Sequence, residues 1–279
     1  MSQNRLETGF KARAAIHVIL VVGCVVMIGP FIWMILTSFK TLGEATHIPI
    51  IIFPKNWKFN NYIKATSTLT FGYYYFNTIV MAVGRVAGQL VLSSMAAYAF
   101  ARIKFPGRNF LFILVISVFM VPSQVFLIPN FLLINKMGLA DSLGGLVLPG
   151  IFTAFGVFLL RQVFMSMPDE LEEAATIDGC SQFGIYFKIM LPLAKSGLVA
   201  LSICVFLWSW NDLVWPLICN HSNEKMTLSV GIASLSGQYI TNFPVIMAGS
   251  VLASIPMILV FMFFQKQFVE GLTFAGIKM

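Results

Sequence analysis

The sequence predicts an all-α polytopic membrane protein with six transmembrane helices, and three observations carry that prediction. Of its 279 residues, 58% are hydrophobic and only 10% charged, against roughly a quarter charged in a soluble domain. The apolar residues gather into six runs of bilayer-spanning length. About 20 residues are needed for each, because lipid offers backbone N–H and C=O groups no partner and a helix pairs them internally. The basic residues concentrate in short segments beside these runs, as the positive-inside rule requires of cytoplasmic links.

The runs cover residues 14–36, 76–100, 110–133, 143–165, 197–218 and 244–264. Each is too long for a signal-peptide core. The first lacks a small-residue cleavage site, so it reads as a retained anchor. Arg102, Lys104 and Arg108 fill the short link after the second run. They agree with Arg5, Lys11 and Arg13 before the first run, which places both termini in the cytoplasm. Lys40, Lys55, Lys58 and Lys64 lie in a longer external loop, where charge weighs little. The predicted division is a cytoplasmic arm at 1–13, the first helix at 14–36, an external loop at 37–75, a five-helix core at 76–264 and a cytoplasmic tail at 265–279. The net charge of +7 thus describes orientation in a membrane of lipid and gives no case for nucleic acid.

Pro122 and Pro129, with Gln124 between them, are expected to break the third run. Pro149 with Gly144, Gly145 and Gly150 should break the fourth. Cys24, Cys180, Cys204 and Cys219 show no metal-type spacing, and neither do His17, His47 and His221; no metal or cofactor is implied.

The link at 166–196 differs from every other. Asp169, Glu170, Glu172, Glu173 and Asp178 place five of the eleven acidic residues in one short stretch. Ser166, Pro168 and Asp169 form a helix-start signature whose side chains would cap free N–H groups. Leu171, Ala174 and Ala175 give an apolar stripe. Asp178-Gly179 should end that helix, and a second should run from Ser181 to Leu191, ended by Pro192, with Phe183, Phe187 and Leu191 on one face. Glu173-Ala174-Ala175, Gly179, Ile189, Leu191 and Pro192 together resemble the EAA loop of binding-protein-dependent ABC importer permeases. Asp178 belongs to the same turn. The sequence is also similar to the smaller permease subunit of the carbohydrate branch at Ala96 to Arg102, Phe105-Pro106-Gly107, Trp210-Asn211-Asp212, Trp215-Pro216-Leu217 and Phe268 to Thr273. Lys195 departs from the family, where many members carry a second proline.

That resemblance implies a type I importer permease fold with a cytoplasmic coupling helix. It implies as partners a second homologous permease subunit, two copies of an ATP-binding subunit, an external solute-binding protein and a sugar substrate. The chain itself has no Gly-x-x-x-x-Gly-Lys-Ser/Thr stretch to cradle ATP phosphates. It reads as a transport subunit and not an enzyme.

Ionisable groups inside a bilayer are costly and mark candidate sites. Asp212 lies in the outer third of the fifth run, flanked by Trp208, Trp210, Asn211 and Trp215. Carboxylate and amide oxygens accept from sugar hydroxyls and indoles cover a pyranose face, so Trp210, Asn211 and Asp212 are candidates for the substrate path. Interfacial anchoring and helix tying are the other readings of this set. Arg85, near mid-bilayer, would either pair with Asp212 or a neighbouring acid, or read an anionic solute such as a glycerol phosphate. A membrane-embedded enzyme would need a convergent acid/base or metal set, for which Asp212 alone is a poor start. A secondary transporter would often show related halves, and none are apparent.

Overall fold

The computed structural model describes residues 10–68, 70–236 and 241–276, and every regular element among them is helical. Arg5 and the final tail residues 277–279 lie outside the described residues, as do the side chains of Lys11, Arg13 and 268–273. Among the described residues, three helices are long and apolar enough to cross a membrane unbroken: Ala15–Ser38, Phe71–Arg102 and Phe243–Gln265. They correspond to the first, second and last predicted runs. The count reaches six when each of three bent pairs is one span.

The third and fourth runs are broken where their prolines were expected to break them, and the fifth is broken where no break was expected. Arg108–Met120 and Ser123–Lys136 meet at 100°, so the third run is sharply broken at Pro122. Leu143–Gly150 and Ala154–Met165 meet at 47° just after Pro149. The fifth run is interrupted at 211–213, between Lys195–Trp210 and Val214–Cys219. The second helix of the 166–196 link ends at Leu193, one residue past the expected stop at Pro192, and meets Lys195–Trp210 at 74°.

The chain forms two compact units. One comprises residues up to 69 together with 234–254. In it α1 (Phe10–Ser38) is apolar all round and none of its membrane-length window is buried, as a lipid- or partner-facing helix requires. α2 (Leu42–Ala45) is fixed by a capping box between Thr41 and Glu44. α3 (Asn60–Thr68) returns Asn61, whose Nδ2 donates to the Ser38 and Lys40 carbonyls at 2.8 and 2.9 Å. Phe39 packs at tilted and edge-on angles among Trp57, Phe59 and Tyr62, and Lys40 Nζ lies 3.8 Å over the Trp33 ring. The predicted external loop is therefore a folded aromatic platform.

The other unit is built round α4 (Phe71–Arg102). α5 (Arg108–Ser117), α6 (Leu127–Lys136), α7 (Leu143–Val147) and α8 (Ala154–Met165) follow it. Next come α9 (Glu170–Ile177), α10 (Gln182–Ile185), α11 (Leu191–Leu193), α12 (Lys195–Trp210), α13 (Val214–Cys219) and α14 (Leu228–Ser234). α15 (Phe243–Gly276) closes the chain. α4 lies along both α8 and α12. At one end of α4, Tyr98, Leu160, Phe164, Ala175, Tyr186, Met190 and Leu201 form an apolar core. Towards the other, Met81, Ile134, Leu146, Trp215 and Cys219 form a second.

Candidate functional site

α4 carries Asn77, Met81, Arg85, Gln89 and Ser93 at four-residue spacing, which puts them on one face, and all are buried. The broken fourth run packs against that face. Pro149 cannot donate, so the α7 to α8 break leaves carbonyls to be satisfied by neighbours. Arg85 Nε and Nη2 donate to the Leu146 carbonyl at 3.0 and 2.9 Å, and Gln89 Nε2 donates to the Gly150 carbonyl at 2.9 Å. Thr153 Oγ1 donates to Gln89 Oε1 and accepts from Gly156 N–H, capping α8. Gly150 makes room for this arrangement: a Cβ there would stand 2.5 Å from Arg85 Cδ.

Arg85 Nη1 donates to Asp212 Oδ2 at 2.9 Å, with both side chains largely buried. Asp212 sits in the break between α12 and α13, where its Oδ1 accepts from Trp215 N–H at 3.3 Å. Trp215 Nε1 donates to the Gly145 carbonyl at 3.0 Å. Of the two readings of Arg85, pairing with Asp212 is the one the geometry displays. The pair lines a cavity of about 360 Å³ with Ser123, Gln124, Asn130, Gly150, Val214 and Trp215 among its walls.

Trp210 and Asn211, expected beside Asp212, are placed elsewhere. Trp210 is buried, stacked on Phe206 at 5.4 Å and near Tyr75 at 6.2 Å. Asn211 is exposed and donates back to the Leu207 carbonyl. Trp210 ends α12 while Asn211 and Asp212 lie in the break after it, so adjacency in sequence did not bring the three together. Ser123, Gln124 and Asn130 were not foreseen as lining residues; the polar residues beside Pro122 and Pro129 were the available signal.

The 166–196 link forms a hairpin. Asp169 stands at the start of α9 without capping it, and its carboxylate bonds Arg102 instead. Ser166 Oγ donates to the Val163 carbonyl, so neither expected side-chain cap forms. α9 ends in a Schellman turn: Cys180 N–H donates to the Ala175 carbonyl, Gly179 N–H donates to that of Thr176, and Gly179 has φ +78°. Glu173, Ala174 and Asp178 are exposed, whereas Ala175 is buried in the core under α9. Ile177 is 86% exposed, so the outward apolar stripe is Leu171, Ala174 and Ile177. Beyond the turn, a π-helical segment Tyr186–Met190 carries Ile189, and Leu191 and Pro192 follow at the junction with α12.

A profile of the family described as "Binding-protein-dependent transport system inner membrane component" matches residues 89–273, which take in α4 from Gln89 onward and the whole hairpin. The chain belongs to that family. It is 38% identical over 252 residues to an arabinooligosaccharides transport system permease protein of Halalkalibacterium halodurans, covering 89% of this chain and 90% of the relative. It is 33% identical over 264 residues to an sn-glycerol-3-phosphate transport system permease protein of Pectobacterium atrosepticum, covering 92% and 94%. A crystal structure of a bacterial ABC transporter that imports the acidic polysaccharide alginate contains a chain that superposes with a TM-score of 0.81. It is 24% identical and covers 95% of this permease and 99% of that chain, a likeness of fold. The permease is therefore a membrane component of an ABC importer and not itself an ATPase.

Proposed function

We propose that the permease passes a neutral, polyhydroxylated solute of the saccharide class through the cavity beside α4. The observation that carries this reading is the commitment of Arg85: its Nε and Nη2 are held by Leu146 and its Nη1 by Asp212. The fixed charges cancel. What the walls then offer are the hydroxyl of Ser123, the amides of Gln124 and Asn130 and the ring of Trp215, groups that exchange hydrogen bonds with sugar hydroxyls. The arabinooligosaccharide relative supports the same class.

In this reading the permease pairs with a second, related permease subunit, receives solute from an external binding protein and docks two ATP-hydrolysing subunits. Both termini lie in the cytoplasm, together with the hairpin. The exposed Glu173, Ala174, Asp178 and Ile177 supply the docking face, and Gly179 the turn that presents it. Ile189, Leu191 and Pro192 join the hairpin to α12. A second reading, import of a glycerol phosphate, draws on the related permease of that system and on an arginine in the cavity wall. Uptake by the whole complex in vesicles separates them. Labelled neutral arabino-oligosaccharides should accumulate with ATP, and sn-glycerol 3-phosphate should neither accumulate nor compete. Uptake of the phosphate alone would replace the first reading by the second.

A further inference from the structure

We infer that Arg102 is a positioning residue that welds the hairpin to α4, so that movement of the docking face reaches the cavity through that one helix. Arg102 is the last residue of α4 and its side chain is only 6% exposed. Its Nε and Nη2 donate to the Phe164 carbonyl at 3.1 and 2.6 Å, Nη2 also donates to the Met167 carbonyl, and Nη1 to the Asp169 carboxylate. The last carbonyls of a helix have no partner within it. Arg102 satisfies those of α8 and of the connecting turn and, with the same planar fork, holds the start of α9.

Two further ties land on the same face of α4. Tyr98 Oη donates to Gln182 Oε1 at 3.2 Å, and Ser94 Oγ lies 2.6 Å from Tyr186 Oη. Ser94, Tyr98 and Arg102 are four residues apart, one above another. Tyr186 opens the π-helical segment, a distortion that recurs at functional positions. Farther along, α4 carries Arg85 at the cavity wall and Gln89, which bonds the wall residue Gly150. One rigid helix thus joins the hairpin to the cavity, which is a physical route for coupling between sites.

This inference rests on the reading of the hairpin as the ATPase contact, and its test keeps the two apart. The whole complex in vesicles is assayed for bound ATPase subunit, substrate-stimulated hydrolysis and uptake, giving uptake per ATP. Arg102→Gln is expected to keep its ATPase subunit and its hydrolysis while uptake per ATP falls about fivefold. Tyr186→Phe, which deletes one hydroxyl from a packed site, should lower the same ratio about twofold; it decides alone if Arg102→Gln does not assemble. A wild-type ratio in Tyr186→Phe and in any Arg102→Gln that assembles overturns the inference, and so does a parallel fall of hydrolysis and uptake. Gly179→Val serves as the control for the docking reading. If it sheds the ATPase subunit while the Arg102 and Tyr186 variants keep the wild-type ratio, only the inference fails; if it keeps the subunit and full coupling, both do.

Discussion

Arg85 places a full charge halfway along an apolar helix, and its three donor nitrogens all have fixed partners. Removing one partner of a buried ion pair costs about 3–5 kcal/mol, because the remaining charge is left uncompensated. Asp212→Ala should therefore lower the melting temperature of the solubilised complex by several degrees. Asp212→Asn, which keeps an oxygen for Arg85 Nη1, should lose about half as much. The double change Arg85→Met with Asp212→Leu should recover stability relative to Asp212→Ala, since an apolar pair leaves no buried charge. Equal melting temperatures for wild type and Asp212→Ala would show that the pair is dispensable. Outside the apolar runs, Asp141 sits at φ 53° and accepts from the backbone N–H groups of His221 and Ser222 at 2.9 and 3.0 Å. The Ser222 hydroxyl and N–H, with that of His221, hold its carboxyl below the usual carboxylate range. The stability this contributes is fully present above the unfolded value near ~3.9 and is lost as pH falls through the lowered folded value. Asp141→Asn tolerates the same backbone conformation, so the melting-temperature gap between it and wild type should be open at pH 6 and close as pH falls through the lowered folded value. A gap independent of pH would contradict this account.

At the scale of single elements, α9 makes a sharp distinction between neighbours. Ala174 is exposed and Ala175 is buried against the core beneath the helix. Ala175→Glu should put a carboxylate into an apolar core, cost several kcal/mol and disrupt the hairpin. Ala174→Glu should leave the melting temperature unchanged but weaken retention of the ATPase subunit on a pull-down. If the two variants behave alike, the docking face has been assigned to the wrong side of α9. The helix itself, its end at Gly179 and its outward acidic residues were legible in the sequence, because turn glycines and acidic clusters are local signals. The six apolar runs were legible for the same reason. The bends were legible in place and not in size: Pro122 and Pro149 mark where pairing fails, while tertiary packing sets 100° in one case and 47° in the other. Arg102 was read as a topogenic charge. Its structural work stayed hidden because its partners include the backbone carbonyls of Phe164 and Met167, groups every residue carries. The four-residue stripe from Asn77 to Ser93 was visible in the sequence and, taken as one face, would have pointed to the buried side of α4 that carries Arg85.

At the scale of the whole molecule, the proposed function divides two tasks along one chain, between a charge-neutral cavity beside the broken helices and a hairpin with an exposed face, with α4 common to both. In the proposed function the energy of ATP hydrolysis enters through the hairpin, since the sequence has no phosphate-binding loop of its own. Gly179 is where this account is most exposed. Beyond its chain neighbours, a Cβ at that position would meet nothing within 4 Å in this chain, so a substitution there acts on the chain through backbone conformation. A β-branched residue at positive φ costs about 1–3 kcal/mol, which a short exposed helix end can relieve by abandoning the turn. The six spans need not change, and α9 should tilt away from its partner. The decisive measurement is on purified complex carrying Gly179→Val, reconstituted in vesicles, with bound ATPase subunit, substrate-stimulated hydrolysis and uptake recorded together. The account predicts near-normal membrane insertion, depleted ATPase subunit and uptake close to background. Wild-type values for all three would mean that the hairpin is a passive connector, and would contradict the coupling role on which the proposed function depends.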